Sequence, residues 1–188
     1  MISEKKDRAC NLHWRTEMIR KATQLDLDGI TAVEAACFPP AEAATREQFA
    51  ERLRFFPDHF WMMVRPDKAE NRIGHTWDGQ IISFVNGFVT DEEDLVDEMF
   101  SHAMDHNEQG KWQMIFGVDT LPEFRHRGYA GMLIRAAIED ARRQGRSGVV
   151  LTCKDERIGF YEQFGFRNEG PSQSTHGGAA WNQMRIRF

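Results

Sequence analysis

The chain has 188 residues, of which 41% are hydrophobic and 28% are charged, and this balance excludes a disordered or fibrous protein. We predict a single domain over residues 13–188 behind a flexible leader at 1–12, since this length can bury a substantial core. The net charge of −5 disfavours general nucleic-acid binding, which usually requires a basic surface.

The expected compartment follows from the cysteines and the apolar runs. Cys10, Cys37 and Cys153 are too few and too scattered for a disulfide framework, and no pair has the spacing of metal ligands. The charged first ten residues do not resemble a signal peptide, and no run approaches the roughly twenty apolar residues that cross a bilayer. We therefore expect a cytoplasmic protein without a membrane partner or a metal.

The first part of the chain predicts a strand followed by two helices. Residues 14–22 suit the strand. Asp26 or Asp28 can cap a helix that runs to about Cys37, where a double proline ends it because proline has no N–H for the helical ladder. Residues 45–48 have the composition of a capping box and predict the start of a second helix.

The next part changes to a strand pattern. Residues 60–64 and 80–89 are predicted strands, and the dipeptide at 78–79, Asp-Gly, is typical of a hairpin turn. Residues 90–110 are polar and acidic, and we expect a helical excursion there. Residues 112–118 predict one further strand.

The last part alternates helices and strands. Apolar residues recur at helical spacing over 127–144, and Gly145 is a natural stop. Residues 148–153 have the pattern of a buried strand, 155–164 that of a short helix, and 180–188 alternate like a strand. Strands that flank helices in this way indicate a mixed sheet of the α/β (α+β) class.

The sharpest motif is the loop that leads into the long helix of this last part. Gly128 and Gly131, with Ala130 between them, let the backbone approach a ligand, while the first amides of the helix lack partners. The helix dipole adds partial positive charge, so this arrangement suits a diphosphate, with Arg125 and Arg127 at its rim. Glycines that serve only packing are the alternative, and neither the P-loop nor the dinucleotide fingerprint fits.

A second motif follows one helix and one strand later, and together the two resemble the Gcn5-related N-acetyltransferase (GNAT) superfamily. The diphosphate loop of that family reads Arg/Gln-x-x-Gly-x-Gly/Ala and is matched by Arg125, Gly128 and Ala130. Its later helix ends in Phe-Tyr-Glu-x-x-Gly-Phe, which is matched at 160–166. The resemblance covers about residues 14–188.

Shorter matches are similar to the arylalkylamine (serotonin-type) N-acetyltransferases and their bacterial relatives. They lie at 38–40, 91–93, 151–155 and 176–178. The resemblance implies a GNAT fold, in which a mixed, splayed central sheet of about six or seven strands is flanked by about four helices. It also implies acetyl-CoA-dependent transfer of an acetyl group to a primary amine, either a small arylalkylamine or a polyamine-like cation.

The same resemblance implies where acetyl-CoA, the co-substrate, would bind. The strand before the diphosphate loop would pair with the pantetheine arm through its backbone, and the loop amides would hold the diphosphate. These positions are Val118, Asp119 and Thr120 on the strand, and Arg125, His126, Arg127, Gly128, Tyr129, Ala130 and Gly131 in the loop and helix start.

Tyr161 matches the family tyrosine that protonates the departing CoA thiolate. Acyl transfer from a thioester expels a thiolate, and a phenol within hydrogen-bond reach can supply the proton. The alternative is that Tyr161 is a core aromatic residue of an amphipathic helix. The only other tyrosine, Tyr129, lies inside the diphosphate loop.

The general base is where this sequence departs from the family. The animal enzymes place two histidines on the strand before the loop, and an ungapped alignment puts Met114 and Phe116 there, neither of which accepts a proton. Glu42 follows the double proline, where related amine acetyltransferases can carry an acidic base, and His176 lies in a glycine-rich turn near the acceptor. The candidate bases, each of which has an exposed polar role as its alternative, are Glu42, Glu47, Glu98, His102, His106 and His176.

Three weaker patterns have plainer alternatives. His102 and His106 would share a helix face with a metal-like spacing, but no third ligand is evident and a solvated face is favoured. The acidic residues over 91–98 could attract an ammonium substrate, although a solvated surface is favoured. The aromatic residues over 55–77 could line an acceptor pocket or fill the core.

Phe38 and Pro39 are the preferred acceptor contacts, because proline-bounded loops tend to lie at the surface. Cys153 is expected to be a small buried hydrophobe and not a nucleophile. The expected partners are acetyl-CoA and a small-molecule amine, and a homodimer is compatible with the sequence. Two alternatives stay open: acetylation of a protein N-terminus or lysine by the same fold, and a non-catalytic acyl-CoA-binding module.

Overall fold

The computed structural model describes residues 18–66 and 72–188. The predicted leader, Cys10 and the first residues of the strand expected at 14–22 lie outside these ranges. Within them, ten strands and four α-helices are present. The strands are β1 (Met18–Lys21), β2 (Phe60–Arg65), β3 (His75–Thr76), β4 (Gly79–Asn86), β5 (Val89–Thr90), β6 (Trp112–Ile115), β7 (Gly117–Thr120), β8 (Gly148–Cys153), β9 (Arg167–Pro171) and β10 (Asn182–Arg187). The helices are α1 (Leu27–Cys37), α2 (Arg46–Phe55), α3 (Tyr129–Arg143) and α4 (Ile158–Glu162).

The strands form two five-stranded sheets. In the first sheet the order is β1-β2-β4-β3, and β7 pairs with the other part of β4. In the second sheet the order is β5-β6-β8-β10-β9. The pair β6 and β8 is parallel and the other pairs are antiparallel, so the predicted mixed α/β (α+β) architecture is confirmed. The strand count of six or seven is too low for the described residues, because it omits the short β3, β5 and β9.

The two sheets separate at Phe116, and this break was not predicted. A single strand was expected over 112–118, but the chain leaves the second sheet after Ile115 and enters the first at Gly117. The carbonyl of Asn86 accepts the Phe116 amide at 2.8 Å, while Asn86 is paired in register with Gly117. The extra residue forms a bulge that redirects the chain and opens a gap between β7 and β8.

The helices of the first half begin where the sequence predicts. α1 ends at Cys37 as predicted, but neither predicted aspartate caps it with its side chain: Asp26 stands at the N-cap position and accepts instead from the amide and hydroxyl of Thr23, at the start of a preceding 3₁₀ turn. At the start of α2, the Thr45 hydroxyl accepts the Gln48 amide at 3.2 Å, and the Gln48 side-chain oxygen accepts the Thr45 amide at 2.8 Å. This capping box satisfies two donors that the first turn of a helix leaves without partners.

The predicted hairpin is present, but its turn lies one residue earlier. Thr76 pairs with Gly79, so Trp77 and Asp78 form the turn. Gly79 is required for a different reason: its φ is 154° and an added Cβ would lie 2.3 Å from the carbonyl oxygen of Arg65. The glycine therefore permits close approach of β2 to the start of β4.

The helical excursion predicted over 90–110 is wrong. Only two short 3₁₀ turns occur there, at Asp97–Phe100 and Ala103–Asp105. The acidic side chains of this segment bond to other parts of the chain, as when Arg185 donates to Asp94 at 2.6 Å. Such long-range partners favour an irregular path over a regular helix.

The second half follows its predicted elements closely. α3 is amphipathic and packs its apolar face against both sheets, and Gly145 follows it with a φ of 74°, which is typical of a C-terminal stop. β8 and β10 form where buried and alternating patterns predicted them. The predicted short helix is a 3₁₀ turn followed by α4, and the chain then turns at Gly165 with a φ of 93°.

A buried ion pair ties the start of α1 to the first sheet. Asp26 is fully buried and accepts from the Arg20 guanidinium at 2.7 and 2.8 Å and from the Thr76 hydroxyl at 2.5 Å. Burial alone would raise the pKa of Asp26, but the hydrogen bonds from Arg20, Thr76 and Thr23 outweigh burial and hold this pKa below its ordinary value. The carboxylate form therefore stabilises the folded state.

Asp26→Asn is expected to lower the free energy of unfolding at pH 7 by about 2 kcal/mol, because it removes charge-assisted hydrogen bonds from a buried site. A lowered carboxyl pKa gives stability that is present above about pH 4 and is lost as the pH falls through the native pKa. The difference between the two proteins should therefore shrink below pH 4 in urea unfolding measured from pH 7 to pH 3. Asp28→Asn, at an exposed partner of Arg46, is the control and should change little.

Candidate active site

The gap between β7 and β8 opens into a cavity of about 510 Å³. One end is lined by the loop before α3, the middle by the edge of β7 and by α4, and the other end by the α1–α2 loop and the loop between β9 and β10. Four segments far apart in the chain thus meet at the point where the sheets separate. This cavity contains most of the residues that the sequence singled out.

The edge of β7 that faces the cavity pairs with no other strand of the described residues, and on it the Thr120 carbonyl accepts a hydrogen bond from Arg125 Nε at 3.1 Å. The Leu121 amide donates to the Ile82 carbonyl at 3.0 Å, and antiparallel pairing alternates from there. The backbone of Asp119 therefore faces β4, while that of Val118 and Thr120 faces the open edge. Val118 and Thr120 line the cavity and Asp119 does not. An extended ligand arm could pair with this edge as an added strand would.

The predicted diphosphate loop forms the first end of the cavity. Gly128 has a φ of 84°, and no atom lies within 4 Å of the position that a Cβ would take there. The N-cap residue of α3 is Gly128, which has no side chain to cap the helix, so the amides of Ala130 and Gly131 in the first turn have no acceptor at the N-cap. Arg125, His126, Tyr129 and Ala130 also line this end, which is shaped and charged for an anion.

Two residues of this region, Gly131 and Arg127, also make contacts that stabilise the fold. A Cβ at Gly131 would lie 3.1 Å from the ring of Phe164, so this glycine, which lines the cavity, also lets α4 approach α3. Arg127 donates to the carbonyl of Glu123 at 2.9 Å and lies outside the cavity lining. Arg125 also donates to a backbone carbonyl, that of Thr120 at 3.1 Å, but it lines the cavity, so direct contact with a diphosphate is better suited to Arg125 than to Arg127.

Tyr161 lines the middle of the cavity from α4. Its ring packs edge-on against Phe160 and Phe166, with centroids at 5.1 and 5.9 Å. Burial raises the pKa of the Tyr161 phenol, so the group stays protonated at neutral pH. A protonated phenol beside the open edge of β7 has the state that a proton donor needs.

The predicted acceptor residues meet at the other end. Phe38, Pro39, Glu42 and His176 all line it. The Glu42 carboxylate accepts from Lys154 at 2.7 Å, and the His176 Nε2 donates to the Glu42 carbonyl at 2.9 Å. These contacts join the loop between β9 and β10 to the α1–α2 loop and close this end of the cavity.

Aromatic rings that the sequence did not single out complete the acceptor end. Phe100 lies 4.5 Å from the His176 ring between centroids, and Trp181 lies 6.4 Å from it. Phe116 packs against Phe100 at 5.2 Å and also lines the cavity. The position where the family has its second histidine thus presents an apolar ring here, while Met114 is buried in the core.

The remaining candidate bases lie elsewhere. Glu47, Glu98 and His102 are exposed and outside the cavity lining. His106 does not share a helix face with His102, because each borders a short 3₁₀ turn. None of these four is positioned to contact a group bound between β7 and β8.

His106 instead joins His59 and Glu108, and their ligand-type atoms lie within 4.8 Å of one another. His106 Nδ1 accepts the Val89 amide at 3.1 Å, so its other nitrogen carries the ring proton and faces Glu108 at 3.2 Å. Burial lowers the pKa of His106, which agrees with a neutral ring. A ring used on both nitrogens has no lone pair for a metal, so this cluster is a hydrogen-bond network.

The aromatic and acidic patterns are mostly structural. Phe56, Phe60 and Trp61 are buried in the core, whereas Phe55 and Trp77 are exposed. The acidic segment over 91–98 lies outside the cavity lining, and its carboxylates bond to the last strand and to the loop before it. These side chains hold the second sheet together.

Cys153 is buried, as predicted, at the end of β8. Burial raises the pKa of its thiol to about 11, and the neighbouring carboxylates act in the same direction. The side chain is therefore a thiol at neutral pH, and the thiolate is the nucleophilic form. This supports the prediction that Cys153 is not a nucleophile.

Sequence reasoning missed a group of buried polar residues behind β7. Glu34, Arg52, Asn86 and Asp119 come from four different elements and are all buried. A signal was present, because Glu34 lies four residues after Ile30 on the apolar face of α1, and Arg52 lies between apolar neighbours on α2. A charge on a buried face is an unusual observation that indicates a partner or a function.

Comparison with known proteins agrees with this geometry. The family model described as "Acetyltransferase (GNAT) family" matches residues 27–166. The serotonin N-acetyltransferase of Mesocricetus auratus is 26% identical over 117 residues, which are 62% of this chain and 55% of that protein. The chain therefore spans little more than half the length of this curated relative.

Solved structures share the fold at low identity. The loading GNATL domain of CurA from Lyngbya majuscula has a TM-score of 0.72 at 15% identity, over 91% of this chain and 97% of that one. NAA60 of Arabidopsis thaliana, solved in complex with acetyl-CoA, has a TM-score of 0.66 at 16% identity, over 92% and 99% of the two chains.

The fold and the cavity are those of a GNAT-type domain, in which two sheets splay apart beside a glycine-rich loop. The chain belongs to the GNAT acetyltransferase family, since the family model covers most of it. The resemblance drawn from the two sequence motifs is thereby confirmed. Among the described residues, no helix combines the length and apolar character that crossing a membrane would require.

Proposed function

We propose that this protein transfers an acetyl group from acetyl-CoA directly to the primary amine of a small arylalkylamine. The observation that carries the proposal is the acceptor end of the cavity, where aromatic rings and carboxylates lie together beside Tyr161. Aromatic rings bind a flat aromatic substrate by stacking, and carboxylates attract its ammonium group. The rings are Phe38, Phe100, Phe116, His176 and Trp181, and the carboxylates are Glu34 and Glu42.

Acetyl-CoA fits the residues of the other end. The open space beside Gly128 and the amides of Ala130 and Gly131 suit the diphosphate, and the edge of β7 formed by Val118 and Thr120, which no other described strand covers, suits the pantetheine arm. The resemblance to NAA60, which is solved with acetyl-CoA, supports the same choice. Acetyl-CoA, when bound, supplies the activated thioester, and the residues of the cavity bind and orient it.

The residues of the cavity have different roles in the transfer. The outward amides of β7 polarise the thioester carbonyl, and Tyr161 protonates the sulfur as the C–S bond breaks. Glu42 is neutralised by Lys154, and His176 is held by the Glu42 carbonyl. We therefore assign Glu42 and His176 to binding and orienting the acceptor.

A small acceptor is preferred over a protein N-terminus because the acceptor end is narrow. An added Cβ at Gly177 would lie 2.4 Å from the Glu42 side chain and 3.1 Å from the Ala41 carbonyl oxygen. The loop between β9 and β10 therefore lies directly against the α1–α2 loop. An extended peptide would need these two loops to be apart.

Thiol release from acetyl-CoA across an amine panel tests this proposal. Tryptamine and phenethylamine are expected to exceed butylamine in kcat/KM by about tenfold or more, since burying a ring is worth more than about 1 kcal/mol. N,N-dimethyltryptamine is the control, because a tertiary amine cannot form the amide. A preference for peptides with free N-termini would indicate a protein acceptor, and binding of CoA without turnover of any amine would indicate a non-catalytic module.

A further inference from the structure

Three buried polar atoms converge on one point beside Gly117. An added Cβ at this glycine would lie 2.9 Å from Asn86 Nδ2, 3.1 Å from Asp119 Oδ2 and 3.9 Å from Glu34 Oε2. With both carboxyls ionised, none of these atoms has a hydrogen-bond partner among residues 18–66 and 72–188, but the Glu34 and Asp119 carboxyls are close enough to hydrogen-bond to each other once one of them is protonated. Buried donors and acceptors without partners are costly, and their convergence at one point indicates a place for a polar group.

The charges around this point require a shared proton. Arg52 is buried and donates to neutral acceptors, the Asn86 side-chain oxygen at 3.1 Å and the Phe100 carbonyl at 2.8 Å. Burial lowers the pKa of Arg52 to about 10, so it remains charged at neutral pH. One buried positive charge balances one carboxylate, and two carboxylates in contact cannot both ionise without a large cost.

The direction of each carboxyl pKa agrees with this balance. Burial raises the pKa of Glu34 and raises that of Asp119 well above its ordinary value, and the Glu34 charge adds to the effect on Asp119. Both directions agree with one proton shared by the pair, for which Asp119 is the favoured holder and Glu34 the favoured site of the negative charge. The pair titrates as a unit, so its apparent pKa values belong to both groups.

Glu34 connects this buried pair to the cavity. Its side chain lines the cavity from α1, between the open edge of β7 and the acceptor end, whereas Asp119 lies behind it. One Glu34 oxygen accepts the Ala44 amide at 2.8 Å, which fixes the side chain, and the other is the oxygen beside Gly117. A carboxylate with a raised pKa, one fixed oxygen and one free oxygen is suited to accept a proton.

We propose that Glu34 is the proton acceptor of the acetyl transfer and that Asp119, by sharing a proton with it, is a positioning residue. This inference rests on the proposed function. The ammonium gives one proton to Glu34, directly or through a water beside Gly117, and its nitrogen then forms the C–N bond. As the C–S bond breaks, Tyr161 protonates the sulfur. The nitrogen loses its second proton, which restores Tyr161, and Glu34 returns the first to solvent.

Four other titratable groups face the pair and enter its pH dependence. They come from α1, α2, α4 and the loop between β9 and β10, and they are Cys37, Arg52, Tyr161 and His176. Arg52 and His176 favour the ionised form of Glu34. Because these groups also influence the ionisation of Glu34, only a substitution of Glu34 can show that this residue causes the loss of kcat/KM at low pH.

Glu34→Gln keeps the oxygen that accepts the Ala44 amide and removes the ionisable group. We expect kcat/KM at pH 7 to fall about tenfold, because bulk water can still deprotonate part of the amine. The rate of the variant should rise tenfold per pH unit up to the pKa of the amine. Asp119→Asn should retain the acid limb. Glu51→Gln, at an exposed carboxylate of α2, is the matched control.

Infrared difference spectra of the protein without substrate provide a second readout. A protonated carboxylic acid band at pH 7 should be present in the parent protein and in Glu51→Gln. It should be lost in Asp119→Asn and in Glu34→Gln, because the remaining carboxyl then ionises against Arg52. If the parent protein turns over amines but Glu34→Gln has an unchanged pH profile, or if the band is absent, the proposal fails while the proposed function stands. Absence of turnover in the parent protein would overturn both.

Discussion

Tyr161→Phe is expected to lower kcat by about a hundredfold to ten-thousandfold, while the Kd for acetyl-CoA changes little. Removal of a general acid typically has an effect of this size, and the phenyl ring keeps the contacts with Phe160 and Phe166. The loss should therefore appear in the chemical step and not in binding. Steady-state kinetics and calorimetric titration with acetyl-CoA measure the two quantities separately.

The dependence of kcat on pH should differ between the parent protein and Tyr161→Phe in a defined direction. Burial raises the pKa of Tyr161, and the proton donor must be protonated, so the parent protein should keep its activity well above neutral pH before an alkaline limb begins. The variant should lack that alkaline limb. Ser101→Ala, which removes an exposed hydroxyl outside the cavity, controls for loss of a hydroxyl group. A kcat within threefold of the parent value across the pH range would remove Tyr161 from the mechanism.

Gly128→Val is expected to raise the Kd for acetyl-CoA about a hundredfold. The Cβ and methyl groups would enter the open space that the first-turn amides of α3 face, and two charge-assisted hydrogen bonds to the diphosphate would be lost at about 1.5 kcal/mol each. The left-handed backbone at this position also makes the valine strained, by roughly 1–2 kcal/mol. Binding and stability must therefore be measured on the same variant.

Gly145→Val is a matched control at the other end of the same helix. Gly145 also has a positive φ, of 74°, and also has open space around its Cβ position. Both variants should lose similar stability in thermal unfolding, but only Gly128→Val should lose affinity for acetyl-CoA. Equal affinity of the two variants would mean that the start of α3 does not hold the diphosphate.

The contrast between local and distant partners explains which elements the sequence predicts well. The start of α2 is set by a hydrogen-bond exchange between Thr45 and Gln48, and the end of α3 by a glycine, and both causes lie within a few residues. The segment over 90–110 depends on Arg185, nearly a hundred residues away, and its polarity alone resembled that of an exposed helix. Long-range ion pairs of this kind have no local signature.

The candidate site divides in the same way. The diphosphate loop and Tyr161 belong to continuous motifs, so their neighbours along the chain were enough to indicate them. Glu34, Asn86 and Asp119 acquire their proposed role only where α1, β4 and β7 meet beside Gly117. Glu34 alone is notable only as a charge on the apolar face of α1, and Asn86 and Asp119 alone are ordinary polar residues of strands.

By itself the sequence determined the family, the four α-helices and the capping box of α2, and it indicated the loop that we propose to hold the diphosphate, because these depend on side-chain period, glycine geometry and short motifs. Only the tertiary structure decided that the strand expected over 112–118 divides at Phe116, that the loop between β9 and β10 closes over the acceptor end, and that a charged arginine lies behind two carboxyls. These features depend on the packing of distant segments. A buried charge is stable only when it has a partner, and here the partners lie far apart in the sequence, so no local pattern indicates the contact.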